Sequence, residues 1–364
     1  MDHLRAFACI WILFYHGLYI MGPALTSASE LAAYSQATRN PLHALWTEGH
    51  TALALFMVLS GFIFTLGTFR KEVSYRDFIV NRILRIYPLY LCLLLLAVSK
   101  SPNGTPFLSF VTSLLPLADF KWTHGAPLVA MGWAISIEFQ FYLIFPLLLG
   151  FLNRGPLIAT VGAISGALAI RVLGLGMYGS PEEMSYWHLT GRIDQFVLGM
   201  FTATLLVNYR SRLQQHFPWL LAVALPLAVL VLWGYQALGR FGVDANWKIV
   251  WPTVEGLVWS LVILGYVGTR QLFPAVVSNA VCAIGTISYS VYLLHRPILE
   301  ALSSRRYLLW HPTGAWETDV FVNTLVLALP VTLAMSFVTY RVIERPFLSL
   351  RRGYVSSGGT APAT

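Results

Sequence analysis

The chain has 364 residues, of which 57% are hydrophobic and only 11% charged, and its mean hydropathy is +0.65. A soluble domain carries about 25% charged residues, so a water-facing globule is excluded and lipid is the solvent that fits, crossed by runs of about 20 apolar residues. The net charge is +8, from 24 Lys and Arg against 16 Asp and Glu; no basic patch is interleaved with exposed aromatics as single-strand binding requires. No nucleic acid is therefore expected as a partner, and the basic excess reads as loops on the cytoplasmic side of a membrane.

Long apolar runs bounded by polar or Pro/Gly clusters place spans at residues 4–25, 51–68 and 87–98. A shorter run at 107–117 is too brief to cross and reads as a re-entrant or interfacial piece. Further spans follow at 128–152, 156–175, 188–207, 217–238, 249–267, 276–302 and 320–340. The expected fold is all-α, a polytopic membrane helical bundle of about ten transmembrane helices. Asp2 cancels Arg5 ahead of the first run, so that run is read as a retained span and not a cleaved signal.

If loops alternate sides, one side collects Arg70, Lys71, Arg76, Arg82, Arg85, Arg154, Arg210, Arg212, Arg270, Arg341, Arg345, Arg351 and Arg352. The other side takes Arg39, Lys100, Lys121, Arg240, Lys248, Arg305 and Arg306. The positive-inside rule makes the first side cytoplasmic, together with both termini. Residues 1–346 are expected to form one membrane domain, and 347–364 a cytoplasmic tail whose small, polar, Gly/Pro-containing end is disordered.

An ionisable group inside a span is costly and so marks function by default. Arg5 and His16 lie on the first span, eleven residues apart; on a helix they differ by about 20° around the axis and about 16 Å along it. A permanent cation at the mouth and an imidazole deep inside suit a phosphate-bearing donor that reaches inward. The competing readings are a snorkelling Arg5 and a satisfied interior His16. Arg82 and Arg85, at i and i+3, share a face and can clamp a phosphate, or simply anchor the helix.

Glu138 stands in the run Trp-Ala-Ile-Ser-Ile-Glu-Phe-Gln-Phe-Tyr and needs a partner, with a His or Arg on another helix the natural one; a purely structural buried pair is the alternative. Arg192 and Asp194, two apart, face different ways and each needs a partner elsewhere. His295 and Arg296 lie near the outer end of the ninth span, and Glu344 and Arg345 end the tenth. No metal is expected, because the nine histidines never bracket a carboxylate at i, i+4 spacing. There is no Gly-rich phosphate loop and no Gly-x-Ser-x-Gly elbow. Cys9, Cys92 and Cys282 lie in apolar runs and read as small hydrophobes.

Six of these pieces, in order over nearly the whole chain, resemble the acyltransferase-3 family of multi-pass membrane O-acyltransferases. Met-Asp-His-Leu-Arg-Ala with Tyr15-His16 is similar to its opening Arg and His separated by ten residues. Residues 81–88 resemble its Arg-x-x-Arg segment, 133–146 its Trp-Ser-x-x-x-Glu-x-x-Phe-Tyr segment, and 191–199 its Arg-x-Asp piece. Residues 288–297 and 343–347 resemble its last two signatures. Two positions depart: His3 stands where Gly is frequent, and Ala134 follows Trp133 in place of Ser.

The resemblance implies an enzyme of the cytoplasmic (inner) membrane, surrounded by lipid, that takes acetyl-CoA or another acyl-CoA from the cytoplasm and O-acylates a carbohydrate or glycolipid. Arg5, Arg82, Arg85 and Arg345 would hold the donor phosphates. His16 would be the catalytic centre, as general base or as the carrier of an acyl-histidine relay. Glu138 would orient its ring, and Arg192, Asp194 and His295 would line the acceptor side. A transporter or flippase, and an enzyme acylating a macrolide-like small molecule, are the competing readings.

Overall fold

The computed structural model describes residues 1–36, 40–100, 107–115, 129, 131–269 and 272–355. Among them the backbone is helical throughout, save turns, connecting segments and one isolated bridge between Val73 and Val355. Arg39, Lys121, Arg270, the start of the 128–152 run and the chain end after Val355 lie outside the described residues.

Helix α1 (Asp2–Leu25) carries both Arg5 and His16. It is followed by α2 (Ala28–Gln36) and by α3 (Pro41–Thr47), whose first turn is capped by Asn40 Oδ1 accepting from the His43 amide at 2.9 Å. A tight turn at Gly49–Thr51 runs into α4 (Ala52–Thr68). Helix α5 (Tyr75–Lys100) begins twelve residues before the apolar run at 87. Its start is set by a cap and not by apolarity: the Asp77 amide donates to Ser74 Oγ (3.4 Å), and Ser74 Oγ donates to the Asp77 carboxylate (2.7 Å). Arg82 and Arg85 therefore sit well inside a helix that runs on past the apolar stretch.

The short run becomes α6 (Phe107–Leu114), eight residues that cannot cross a bilayer. Long helices α7 (Gly132–Arg154) and α8 (Pro156–Tyr178) follow, then the single turn and a half of α9 (Pro181–Tyr186). Helix α10 (Ile193–Leu213) starts five residues later than the 188–207 span expected from apolarity. It lies against α4 with the two backbones in near contact. A Cβ on Gly199 would meet the Val58 carbonyl, and one on Gly61 the Phe196 carbonyl, both at 2.0 Å or less. Only glycine permits that crossing.

Helices α11 (Phe217–Ala237) and α12 (Trp251–Gly268) complete the wall beside α10. The expected single span at 276–302 is instead two helices, α13 (Ala275–Thr286) and α14 (Ser288–Ser303), bent by 68° at Ile287. The backbone of Gly285 presses on Asp2, where a Cβ would lie 2.1 Å from its carbonyl oxygen. The helix breaks where it meets the start of α1. Broken helices of this kind are tolerated at membrane depth where they line a cavity.

The last long segment, Trp316–Leu348, is one rod made of α15 (Trp316–Asn323), α16 (Leu329–Thr339) and α17 (Arg345–Leu348), joined by π-helical turns at Thr324–Ala328 and Tyr340–Glu344. Each wide turn is followed within two residues by a proline, Pro330 or Pro346, and absorbs its missing amide. Beyond α17 the chain folds back on the start of α5. Asn81 Nδ2 donates to the Arg352 carbonyl (2.7 Å), the Arg352 amide donates to Asn81 Oδ1 (3.0 Å), and the Ser74 amide donates to the Tyr354 carbonyl (2.9 Å).

Among the described residues eight helices are long and apolar enough to cross a membrane, and nine if the bent pair α13–α14 counts as one span. The remaining span of the sequence reading is α10, long enough at 21 residues but carrying Asp194 and Gln195 into the protein interior. Side chains such as Ile158 (81% exposed) and Leu173 (76%) point outward from α8, as lipid-facing residues do. The protein is an all-helical, multi-pass membrane protein.

Candidate active site

A cavity of about 460 Å³ opens between α1, α4, α5, α7, α10, the α13–α14 bend and the chain after α17. Four arginines converge on it: Arg5, Arg82, Arg85 and Arg351. Arg5 is paired with Asp2 Oδ1 at 3.0 Å one turn earlier. Arg85 Nη1 donates to Glu344 Oε2 at 2.9 Å, and Ser290 donates to the other oxygen of that carboxylate. Glu344, near the end of the last long segment, is thus buried in the protein. The Arg82 guanidinium lies over the rings of Phe64 (4.7 Å) and Phe78 (5.3 Å), and its buried Nε has no hydrogen-bond partner among the described residues. Arg345, expected among these cations, is exposed and off the cavity; neighbours on a helix point about 100° apart, and here Glu344 is the one that is buried. Arg351 stands at the mouth in its place. Desolvation, then the positive charges of Arg82 and Arg85, lower Arg351 from its ordinary value to about 10, so it remains a cation at neutral pH.

Glu138 also lines the cavity, but it does not reach His16. Its Oε1 accepts from Ser60 Oγ (3.1 Å) and from the Tyr142 hydroxyl one turn along α7. Hydroxyl groups satisfy the acid where a His or Arg was expected. The partner of His16 is His295, whose Nε2 lies 2.9 Å from His16 Nδ1, while His295 Nδ1 lies 3.1 Å from the Val291 carbonyl.

A carbonyl can only accept, so His295 Nδ1 carries the proton and its Nε2 is a lone pair when the ring is neutral. His16 Nδ1 must then donate, which leaves Nε2 of a neutral His16 as a lone pair. The pair stands just beyond the cavity: Tyr292 lines the cavity, and its ring centroid is 5.8 Å from that of His295.

The three residues expected on the acceptor side do not form one site. His295 belongs to His16. Asp194 is closed off, accepting from Arg171 Nη2 (2.6 Å), from Thr253 Oγ1 and from the Gln195 amide (3.0 Å). Arg171 and Asp194 are both fully buried. Arg171 is a charge inside the apolar run 156–175, the same signal that singled out the other residues, and sequence reasoning missed it.

Arg192 stacks over Tyr186 (4.0 Å) and donates to the Tyr186 carbonyl (2.6 Å) and Gln195 Oε1 (3.1 Å). Near it lies a buried polar group that sequence reasoning also passed over. Glu48 Oε2 is 3.1 Å from His50 Nε2, and the His50 ring is edged by Tyr15, Tyr186 and Phe241. Burial raises the Glu48 carboxyl to about 8. Among the described residues, His50 Nδ1 and Glu255 Oε1 are buried without hydrogen-bond partners. Among the described residues no group of His, Cys, Asp and Glu could hold a metal ion.

A family model described as an acyltransferase domain matches residues 1–341. The chain belongs to the acyltransferase-3 family. Among relatives, it is similar to the exopolysaccharide production protein ExoZ of Rhizobium meliloti, with 25% identity over 324 residues, 85% of this chain and 92% of ExoZ. It is 22% identical over 378 residues to the O-acetyltransferase OatA of Staphylococcus aureus, covering 95% of this chain but 56% of OatA. A shorter match, 33% over 113 residues and 28% of each chain, is to the acyltransferase MdmB of Streptomyces mycarofaciens. No solved structure matches significantly. As an acyltransferase-3 protein the chain is a membrane acyltransferase, and the arginine cavity and the histidine pair are its candidate machinery.

Proposed function

We propose that this acyltransferase moves an acyl group, acetyl in the first instance, from cytoplasmic coenzyme A to a hydroxyl of a cell-envelope or exported carbohydrate. The observation that carries the reading is the convergence of Arg5, Arg82, Arg85 and Arg351 on one cavity whose inner end adjoins the His16–His295 pair. Coenzyme A carries a diphosphate and a ribose phosphate, and guanidinium groups are the side chains best shaped to hold them. Its thin pantetheine arm suits the path past Ser60, Glu138 and Tyr292. The positive-inside rule supports a cytoplasmic position for the end of the bundle that gathers these arginines. ExoZ and OatA, by their names, support an acceptor that is a polysaccharide and a group that is acetyl.

In this reading His16 Nε2 takes the proton of the acceptor hydroxyl as its oxygen attacks the thioester carbon. The carbon–sulfur bond breaks, and the proton on His16 passes to the thiolate. His295 holds the ring so that Nε2 and not Nδ1 is free, and accepts from Nδ1 while the ring is charged. The same free nitrogen would serve as nucleophile in a relay, with the acyl group resting on His16. Arg192, stacked on Tyr186, is left as the one residue of the expected acceptor side for which an acceptor role is still proposed.

The test is transfer from radiolabelled acetyl-CoA in proteoliposomes, with and without polysaccharide. Wild type is expected to consume acetyl-CoA and His16→Ala to bind it without turnover. A wild type that neither binds nor consumes acetyl-CoA would remove the donor reading. Label retained on the protein without acceptor, and lost in His16→Ala, would assign the relay.

A further inference from the structure

We propose that Arg351, carried on the strap that the chain forms after α17, completes an anion-binding station beside Arg82 for a phosphate group of the donor. The inference rests on the donor reading above and adds a second, separately testable element. The strap lies beyond residue 341, where the match to the family ends, yet its Arg351 and Tyr354, with Leu348 at the end of α17, line the cavity.

The strap is not a loose end. Asn81 holds the Arg352 backbone by both its amide and its carbonyl, at 2.7 and 3.0 Å. The Ser74 amide donates to the Tyr354 carbonyl at 2.9 Å, and the Tyr354 ring meets Phe78 at 5.4 Å. Arg351 is the residue before this clamp, and Arg82 is the residue after Asn81. One side chain therefore registers both cations at the same mouth.

The charge arrangement points to an anion. Arg5 has Asp2 and Arg85 has Glu344. Neither Arg82 nor Arg351 has a carboxylate within 4 Å among the described residues. Among the described residues the buried Arg82 Nε has no hydrogen-bond partner, and its guanidinium is ringed by Phe64, Phe78, Tyr142 and Tyr354, with centroids at 4.7, 5.3, 5.8 and 6.0 Å. A guanidinium packed among rings on a cavity wall, with no carboxylate to neutralise it, suits a two-point contact with phosphate. The phosphate could come from the donor or from a lipid headgroup at the mouth; the strap's place on the cavity wall favours the donor.

The experiment is calorimetry on the full chain in detergent, comparing wild type, Arg351→Gln and Arg352→Gln against four probes. The probes are acetyl-CoA, S-acetylpantetheine, pyrophosphate and dihexanoyl phosphatidylglycerol. Arg351→Gln is expected to lose at least about tenfold in affinity for acetyl-CoA and pyrophosphate, as removing a charge-assisted contact does. It should bind S-acetylpantetheine, which has no phosphate, as wild type does, and Arg352→Gln should match wild type throughout. Unchanged acetyl-CoA affinity in Arg351→Gln overturns the proposal, as does an equal loss for S-acetylpantetheine. Arg351-dependent binding of the lipid alone assigns the station to headgroups and overturns the donor assignment. Arg351-dependent pyrophosphate binding without acetyl-CoA binding in wild type keeps the station and removes the donor reading instead.

Discussion

Arg85 and Glu344 form an ion pair of unequal burial, with nitrogen and oxygen 2.9 Å apart, the arginine side chain 20% exposed and the carboxylate fully enclosed. The inequality predicts unequal costs. Arg85→Ala strands a buried carboxylate and should cost about 3–5 kcal/mol, the range for a broken buried pair. Glu344→Ala frees an arginine that can turn to the cavity and to water, and should cost less. Arg82→Gln breaks no ion pair and should weaken donor binding with little change in stability. Thermal unfolding in detergent, read beside acetyl-CoA affinity, separates the three. Equal destabilisation by Arg85→Ala and Glu344→Ala would mean that the enclosed carboxylate does not depend on Arg85.

For the histidine pair the expectation is a division of labour. On the proposed mechanism His16→Ala removes the group that moves the proton, and it should lower turnover by about 10²- to 10⁴-fold, the range for a general base. His295→Ala leaves that group but frees its ring to adopt the other tautomer. Turnover should then fall by less, with the KM for acetyl-CoA unchanged. His295→Asn, whose side-chain oxygen can still accept from His16 Nδ1, should recover part of the loss. A fall in donor affinity in place of turnover would make His295 part of the binding wall.

What could be read from the chain follows from what one helix determines by itself. Arg5 and His16 share a face because the helical period says so, and Arg82 and Arg85 likewise, and the structure places each pair on one helix. Which residues need a partner was also legible. Which helix supplies it was not: His295 for His16, Glu344 for Arg85 and Arg171 for Asp194 come from segments 279, 259 and 23 residues away. Apolarity located α5 poorly because a Ser74–Asp77 cap begins it. Arg351 was indistinguishable from an anchoring cation, because its clamp is made by backbone groups of its neighbour.

The Arg171–Asp194 pair predicts a structural role where acceptor binding was expected. Both side chains are fully buried and 2.6 Å apart. Asp194→Ala should cost about 3–5 kcal/mol and lower the yield of folded protein. Replacing both with apolar residues, Arg171→Met with Asp194→Leu, should be milder than either single change, since no charge is stranded. In whatever fraction folds, the KM for acceptor should be unchanged. An acceptor KM that rises with normal thermal stability would return Asp194 to the binding site.

Glu48 gives a pH dependence whose sign can be worked out. Burial raises its folded-state value from 4.5 to about 8, against weaker lowering by the Phe241 amide and by Lys248 and Arg240. Folding therefore favours the protonated acid. The stability this contributes is fully present below about pH 4.5, and is lost as pH rises toward and through about 8. Wild type should lose thermal stability across that window. Glu48→Gln keeps the size and an acceptor for His50, carries no charge, and should flatten the decline. At pH 8.5 the variant should melt at least about 2 °C above wild type, the shift that about 1 kcal/mol gives in a large domain. If the two melting profiles run parallel from pH 5 to pH 9, the enclosed carboxyl is not what titrates, and His50 Nε2 is instead paired with an ionised Glu48 throughout.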